Sequence, residues 1–213
     1  MVARLPSAPF VYPILDLAFL AGRSVEELVA ALGAGGARLV QVRGKEASDH
    51  DLLAAVRRAL AAARGARVAV IVNDRPDVAL LAGADGVHVG QDDLPPSACR
   101  QLLGAAAIVG CSTHGLDQID AMAREPVDYL AIGPVFATTT KADTEPLVGP
   151  ELLRVARTRT PLPLVAIGGL NASNAAAAVA AGADGVAAIS AIFGGGDVAE
   201  RVRALREALE RAS

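Results

Sequence analysis

The chain has 213 residues, a formal net charge of −3 and 53% hydrophobic residues. That length suits a single α/β barrel, and the mildly acidic balance gives no reason to expect nucleic acid or an anionic membrane as partner. Aromatic residues make up only 3%, so the core is expected to rest on Ala, Val, Leu and Ile.

Taken in chain order, short apolar runs alternate with amphipathic segments, the pattern of βαβ units around a parallel sheet. The runs predict strands over 11–15, 38–42, 68–72, 86–89, 107–111, 129–133, 164–168 and 185–189. Helices are expected to begin near Ser24, Ser48, Pro76, Pro95, Leu116, Gly149, Ala172 and Val198. Ser24 with Glu27 reads as a capping box, and Ser48 with Asp51 as the same device with Asp in place of Glu. Ala82-Gly83-Ala84-Asp85-Gly86-Val87 and Ala181-Gly182-Ala183-Asp184-Gly185-Val186 repeat one helix-stop and strand-start pattern, in which Gly takes a left-handed turn and Asp fits the turn that follows. Eight strands each followed by a helix close into a (β/α)8 TIM barrel, here one domain over 1–213, with functional groups at the C-terminal ends of the strands. An open doubly wound sheet is the weaker reading, because no Gly-x-Gly-x-x-Gly follows the first strand.

The strand ends carry the chemistry. Alternation after strand two puts Gln41, Arg43 and Lys45 on one side of Gln41-Val42-Arg43-Gly44-Lys45, and cations aimed into a barrel mouth call for an anion. Strand three ends at Asn73-Asp74-Arg75 and strand four at Gly90-Gln91-Asp92-Asp93. Carboxylates on neighbouring strand ends suit Mg²⁺, which takes one or two of them plus water and phosphate oxygens; a solvated turn and an Asx cap are the plainer alternatives. Strand five delivers Ser112-Thr113-His114, where the His is either an acid-base group or, more commonly, a structural hydrogen-bonder. Strand six breaks at Gly133-Pro134 and runs through Val135-Phe136-Ala137 to Thr138-Thr139-Thr140-Lys141, hydroxyls beside an ammonium as a phosphate requires. Gly168-Gly169 and Ile189-Ser190 end strands seven and eight, the recurrent phosphate position in barrels. Two anion centres follow: a highly charged group such as diphosphate near Arg43, Lys45, Lys141 and an Asp74/Asp93 metal, and a monophosphate near Gly169, Ser190 and the threonines. Two phosphorylated substrates held face to face suggest joining chemistry with pyrophosphate as leaving group.

Cys99 and Cys111 are the only cysteines, without Cys or His at metal-ligand spacing, and are expected to be buried small residues. Met1 to Phe10 lacks a signal peptide's basic start and long apolar core, and no apolar run is long enough to span a bilayer, so a soluble cytoplasmic chain is expected. The oligomeric state, homo-oligomer or monomer, is not legible.

These pieces together resemble thiamine-phosphate synthases over nearly the whole chain. The resemblance rests on Gln41-x-Arg43-x-Lys45, Asn73-Asp74, His88-Val89-Gly90-Gln91-Asp92-Asp93, Ser112-Thr113-His114, Gly133-Pro134-Val135-Phe136, Thr138-x-Thr140-Lys141, Ile167-Gly168-Gly169 and Ile189-Ser190. It implies a Mg²⁺-assisted transferase of thiamine biosynthesis that joins 4-amino-2-methyl-5-hydroxymethylpyrimidine diphosphate to a thiazole phosphate by a dissociative route. Carried over residue by residue, Asp74 and Asp93 would bind Mg²⁺. Gln41, Arg43, Lys45, Asn73, Ser112 and Lys141 would hold the pyrimidine diphosphate, with Arg43, Lys45, Ser112 and Lys141 taking part in catalysis. Thr138, Thr139, Thr140, Gly169, Ile189 and Ser190 would hold the thiazole phosphate. The chain departs from the family pattern at Gly44, where Glu is frequent, at the variable Thr139, and in the opening Tyr12-Pro13-Ile14-Leu15-Asp16. A thiazole tautomerase of the same fold, and a non-catalytic barrel that binds phosphorylated ligands, are the rival readings; the Asn-Asp, Gln-x-Asp and Thr-x-Thr-Lys elements favour the synthase.

Overall fold

A computed structural model of the protein describes residues 4–138 and 146–212. Eight parallel strands pair in chain order and the eighth returns to the first: β1 (Phe10–Asp16), β2 (Leu39–Arg43), β3 (Ala69–Asn73), β4 (Gly86–Val89), β5 (Ile108–Thr113), β6 (Tyr129–Ile132), β7 (Leu164–Ala166) and β8 (Gly185–Ala188). The sheet is a closed (β/α)8 barrel. Its helices are α1 (Val25–Gly35), α2 (Asp49–Ala66), α3 (Pro76–Ala82), α4 (Pro96–Leu103), α5 (Leu116–Met122), α6 (Gly149–Arg159), α7 (Ala175–Ala180), α8 (Ser190–Phe193) and α9 (Val198–Glu210). Among the described residues no helix is long and apolar enough to cross a membrane.

Strand alternation sorts side chains into two cores. Outward-facing Val40, Val42, Val70, Val72, Val87, Val89 and Leu130 pack with the helices, the aliphatic core the composition demands. Inward-facing Phe10, Tyr12, Ile14, Leu39, Ile71, Ile108, Tyr129 and Val165 fill the barrel. This second core departs from the aliphatic expectation, because both tyrosines of the chain lie inside it at no more than 1% exposure. Glycine makes room for them. A Cβ on Gly110 would lie 2.0 Å from Tyr129 Cζ, and one on Gly185 would lie 2.5 Å from the Phe10 ring.

The repeated Gly-Ala-Asp turns close the other end of the barrel. Gly83 (φ 72°) and Gly182 (φ 103°) take the left-handed conformation that stops a helix. Asp85 and Asp184 then accept the backbone N–H of Val70 (2.8 Å) and Leu164 (2.8 Å), and Asp128 accepts that of Val109 (2.7 Å). These carboxylates stitch strands together and stand apart from the chemistry.

Three local expectations change. Ser24 and Glu27 form the full capping box, but at α2 only half of it exists: Ser48 Oγ accepts the Asp51 N–H and donates to the Asp51 carboxylate. The Asp side chain is too short to reach back to the Ser48 N–H, as Glu does. Helix α7 starts at Ala175 and not near Ala172, because Asn171 and Asn174 side chains take the N–H groups of Ser173 and Asn171 and hold a separate turn. An additional short helix, α8, follows β8 directly.

Candidate active site

A cavity of about 960 Å³ opens at the C-terminal ends of the strands. Gln41, Arg43, Lys45, Asn73, Asp74, Asp93 and Ser112, all expected from the sequence, line it. Gly44 also borders it, but a Cβ there would meet Leu17 Cδ1 (2.9 Å) and Leu52 Cδ1 (3.2 Å), so a side chain at 44 would aim at apolar packing and not at a ligand.

The cationic wall is built at the rim of β2. Parallel register sets Asp16, the last residue of β1, beside Arg43, and the Arg43 guanidinium donates to the Asp16 carboxylate. Asp16 also accepts the Ala18 N–H (3.0 Å) and is only 4% exposed. A buried carboxylate fixed at both oxygens holds its arginine in one orientation. Asp16 was not among the expected site residues, because its partner comes from another strand. Lys45, exposed at the rim, brings a second cation within electrostatic reach of Asp74.

Asp74 and Asp93 form the acidic counterpart. Asp74 has φ 61°, a conformation unfavourable for Asp, and its N–H donates to the His88 carbonyl (2.7 Å). Asp93 accepts the Gly90 N–H (2.7 Å), which folds the β4 loop back towards the site. Burial and then the neighbouring Asp93 charge push the Asp74 carboxyl up to about 6, against the pull of Lys45 and Asn73. A carboxylate raised by burial and by a neighbouring carboxylate's charge is relieved by a divalent cation. No cluster of three or more His, Cys, Asp or Glu suited to a metal occurs among the described residues. A pair with room for water and phosphate oxygens fits Mg²⁺ and does not fit a closed all-protein cage.

Beneath this charged rim lies a floor of hydrogen-bonded polar side chains. Gln41 Nε2 donates to Tyr12 Oη (3.1 Å), Tyr12 Oη bonds Tyr129 Oη (2.8 Å), Tyr129 Oη bonds His88 Nδ1 (2.9 Å), and His88 Nε2 bonds Ser112 Oγ (2.8 Å). The His88 ring stacks on Tyr129 with centroids 5.5 Å apart, and Tyr12 meets Tyr129 edge-on at 5.8 Å. Burial pushes both phenols above their ordinary range, so the floor holds hydroxyls and not phenolates. Gln41 and Ser112 are legible in the sequence, but the residues joining them are not; His88 stands only inside a motif, and its inward strand position is the available signal.

The β6–β8 side lies apart from this floor. Val135 and Phe136 N–H groups donate to Ile167 and Gly168 carbonyls (2.9 and 3.0 Å), which holds the strand-six loop against the strand-seven loop. Gly169, at φ 64°, passes so close that a Cβ would lie 2.4 Å from the Ala137 carbonyl. Gly169, Ile189, Ser190 and Thr138 are not among the residues lining the cavity, although Ile167 and Ala187 beside them are. Thr139, Thr140 and Lys141 lie outside the described residues. His114 borders the cavity, its Nδ1 bonded to the Gly133 carbonyl (2.7 Å) and its N–H to Gln118 Oε1 (2.7 Å), as a residue that positions backbone would be. Cys99 and Cys111 are buried and free, and burial pushes the Cys111 thiol up to about 12, which leaves it inert.

The comparisons agree with one another. A family model described as thiamine monophosphate synthase matches residues 11–192. The thiamine-phosphate synthase of Chloroflexus aurantiacus is 43% identical over 92% of this chain and 90% of its own length, and that of Moorella thermoacetica is 43% identical over 95% and 96%. Among solved structures, the thiamine phosphate pyrophosphorylase from Pyrococcus furiosus superposes with a TM-score of 0.85 at 31% identity, over 96% of both chains. A 3-hexulose-6-phosphate synthase, at TM-score 0.68 and 19% identity over 94% of this chain and 99% of that one, shares the fold alone.

Proposed function

This chain belongs to the thiamine monophosphate synthase family, and on that premise we propose that it joins 4-amino-2-methyl-5-hydroxymethylpyrimidine diphosphate to a thiazole phosphate, giving thiamine phosphate and pyrophosphate. The observation that carries the reading is the placement of Arg43, Lys45, Asp74 and Asp93 around one cavity. Such a rim suits a diphosphate with a divalent cation and has no place in an isomerase that handles no leaving anion.

In this reading the C–O bond between the pyrimidine methylene and the diphosphate breaks first, and its electron pair leaves with the diphosphate. The thiazole nitrogen then donates its lone pair to the pyrimidinyl-methyl cation, forming the C–N bond. No general base is required, so the residues serve chiefly to stabilise charge. Mg²⁺, held by Asp74 and Asp93, would supply positive charge to the departing oxygens. Arg43, kept in place by Asp16, and Lys45 add fixed cations, and Asn73 and Ser112 supply neutral hydrogen-bonding groups. Lys141 is assigned to the departing pyrophosphate. Thr138, Thr139, Thr140, Gly169, Ile189 and Ser190 are assigned to the thiazole phosphate. The close approach of the strand-six and strand-seven loops supports a separate monophosphate position there.

The proposal takes 1–213 as one catalytic domain working in the cytoplasm on two phosphorylated small molecules, without nucleic acid or membrane as partner. Mixing both substrates with Mg²⁺ and measuring pyrophosphate and thiamine phosphate tests it. Equal amounts of the two products are expected. Release of neither, or isomerisation of a thiazole substrate in their place, would overturn it.

A further inference from the structure

The floor of the cavity is a continuous run of hydrogen bonds between two residues that line it, Gln41 and Ser112. Tyr12 and His88 line the cavity between Gln41 and Ser112, and Tyr129 closes the run from within the barrel. Every bond in it is 2.8–3.1 Å long. Gln41 and His88 are 2% and 6% exposed, so solvent cannot substitute freely for a missing partner.

Proton bookkeeping gives the run a direction. The Gln41 amide nitrogen only donates, so Tyr12 Oη accepts from it. A hydroxyl has one proton, and among the described residues the one remaining oxygen bonded to Tyr12 is Tyr129 Oη, so Tyr12 donates to Tyr129. Tyr129 in turn donates to His88 Nδ1. In a neutral imidazole one nitrogen accepts and the other donates, so Nε2 carries the proton and donates to Ser112 Oγ. With the Gln41 amide nitrogen turned towards Tyr12, as it is here, the opposite sense would make Tyr12 accept from both sides and bury its own proton without use, which costs the desolvation of a hydroxyl. Raised phenol ionisation keeps both tyrosine protons in place.

We propose that His88 is a positioning residue: fed from Gln41 through the two tyrosines, it occupies a lone pair of Ser112 Oγ and leaves the Ser112 proton for an acceptor on the bound pyrimidine diphosphate. Gln41 keeps its carbonyl oxygen and second N–H, a donor–acceptor pair that matches the amino group and adjacent ring nitrogen of an aminopyrimidine. The two ends of the run are therefore set together, and Ser112 is a hydrogen-bond donor and not a base. This rests on the proposed reaction for the identity of the substrate, but not for the direction of the run.

Two measurements test it. Histidine-labelled ¹⁵N spectra of the wild-type protein near neutral pH, with His50 and His114 identified by His50→Gln and His114→Gln, report the His88 tautomer without any turnover. A neutral ring protonated at Nε2 is expected; a ring protonated at Nδ1, or at both nitrogens, overturns the proposal. Tyr129→Phe removes one oxygen that does not border the cavity. It should lower kcat/KM for the pyrimidine diphosphate about tenfold, the scale of one hydrogen bond, with KM for the thiazole phosphate unchanged. A merely structural role would spread the loss over both substrates, and that result would also overturn it. If the wild-type protein makes no thiamine phosphate, the proposed reaction falls, and the tautomer still decides the direction of the run.

Discussion

Asp74→Asn is expected to make the metal-free protein more stable while removing its Mg²⁺ response. The folded carboxyl titrates at about 6 against an ordinary value of 3.8, so the folded state binds this proton more tightly than the unfolded state. The sign follows from linkage: stability is lost as pH rises from about 4 to about 6, and the whole deficit persists above that window. At about 1.36 kcal/mol per pH unit the deficit would approach roughly 3 kcal/mol for a fully buried group. Asp74 is only partly buried, and screening by solvent reduces this to about 1.5 kcal/mol. Asparagine keeps the shape, drops the charge and tolerates the left-handed backbone at φ 61° at least as well. For a chain of this size the gain is a Tm about 3–6 °C higher at neutral pH without metal.

Thermal melts of wild-type and Asp74→Asn protein, with and without Mg²⁺ and from pH 4 to 8, read this directly. Mg²⁺ should raise the wild-type Tm and leave the variant unmoved, and turnover in the variant should fall roughly a hundredfold or more. The metal-free gap between the two proteins should close as pH falls towards 4, which separates the cost of burying this charge beside Asp93 from any backbone preference. A variant less stable than wild type at neutral pH, or a gap that does not change with pH, would refute the assignment of Asp74 and Asp93 as an uncompensated pair.

Asp16→Asn leaves Arg43 without its counter-charge, and breaking a buried pair costs on the order of 3 kcal/mol; melting should show the loss, and KM for the pyrimidine diphosphate should rise more than that for the thiazole phosphate. His114→Ala removes a bond to the Gly133 carbonyl and should lower kcat less than tenfold, measured as pyrophosphate release; a severe loss accompanied by thiazole isomerisation would point to the tautomerase reading. Gly110→Ala drives a methyl into the Tyr129 ring, and overpacking of about 3 kcal/mol should lower Tm by about 6–12 °C in calorimetry. Ala131→Leu enlarges a side chain that lines the cavity at the level of Ser112. It should raise KM for the pyrimidine diphosphate while titration with inorganic pyrophosphate and Mg²⁺ gives an unchanged Kd; parallel loss of both would contradict a ring bound on the floor and a diphosphate bound at the rim.

Most of the fold was legible because its signals are local. An apolar run, a Gly that reverses the helix and an Asp that caps the next turn lie within a few residues of one another, as in Ala82–Val87 and Ala181–Val186. The rim residues were legible for a similar reason: Gln41, Arg43, Asn73 and Ser112 are polar residues at inward positions of otherwise apolar strands. What escaped depends on closure of the barrel. Tyr12 and Tyr129 are 117 residues apart and His88 and Tyr129 are 41 apart, so nothing near any of them in the chain names its partner. Asp16 was visible as a strand end, but only the β1–β2 register reveals that it grips Arg43.

The layering of the cavity also bears on how a substrate must enter it. Asp, Arg and Lys side chains gather at the rim, and below them, among the described residues, Gln41, Tyr12, Tyr129, His88 and Ser112 are joined by hydrogen bonds. A diphosphate driven to the floor would lose water without meeting a cation there, while at the rim it meets Arg43 and Lys45 beside the Asp74/Asp93 pair. An aminopyrimidine ring has the opposite needs, since it is uncharged, stacks and offers a small number of directed hydrogen bonds. On the proposed reading, the substrate that satisfies both layers points its ring inward and its diphosphate outward, which leaves the methylene carbon between them. A thiazole held by its phosphate on the strand-six and strand-seven loops would face that carbon as the diphosphate departs. On that reading the barrel separates recognition of the ring, set by the direction of the buried hydrogen bonds, from stabilisation of the leaving anion, set by the charges above them.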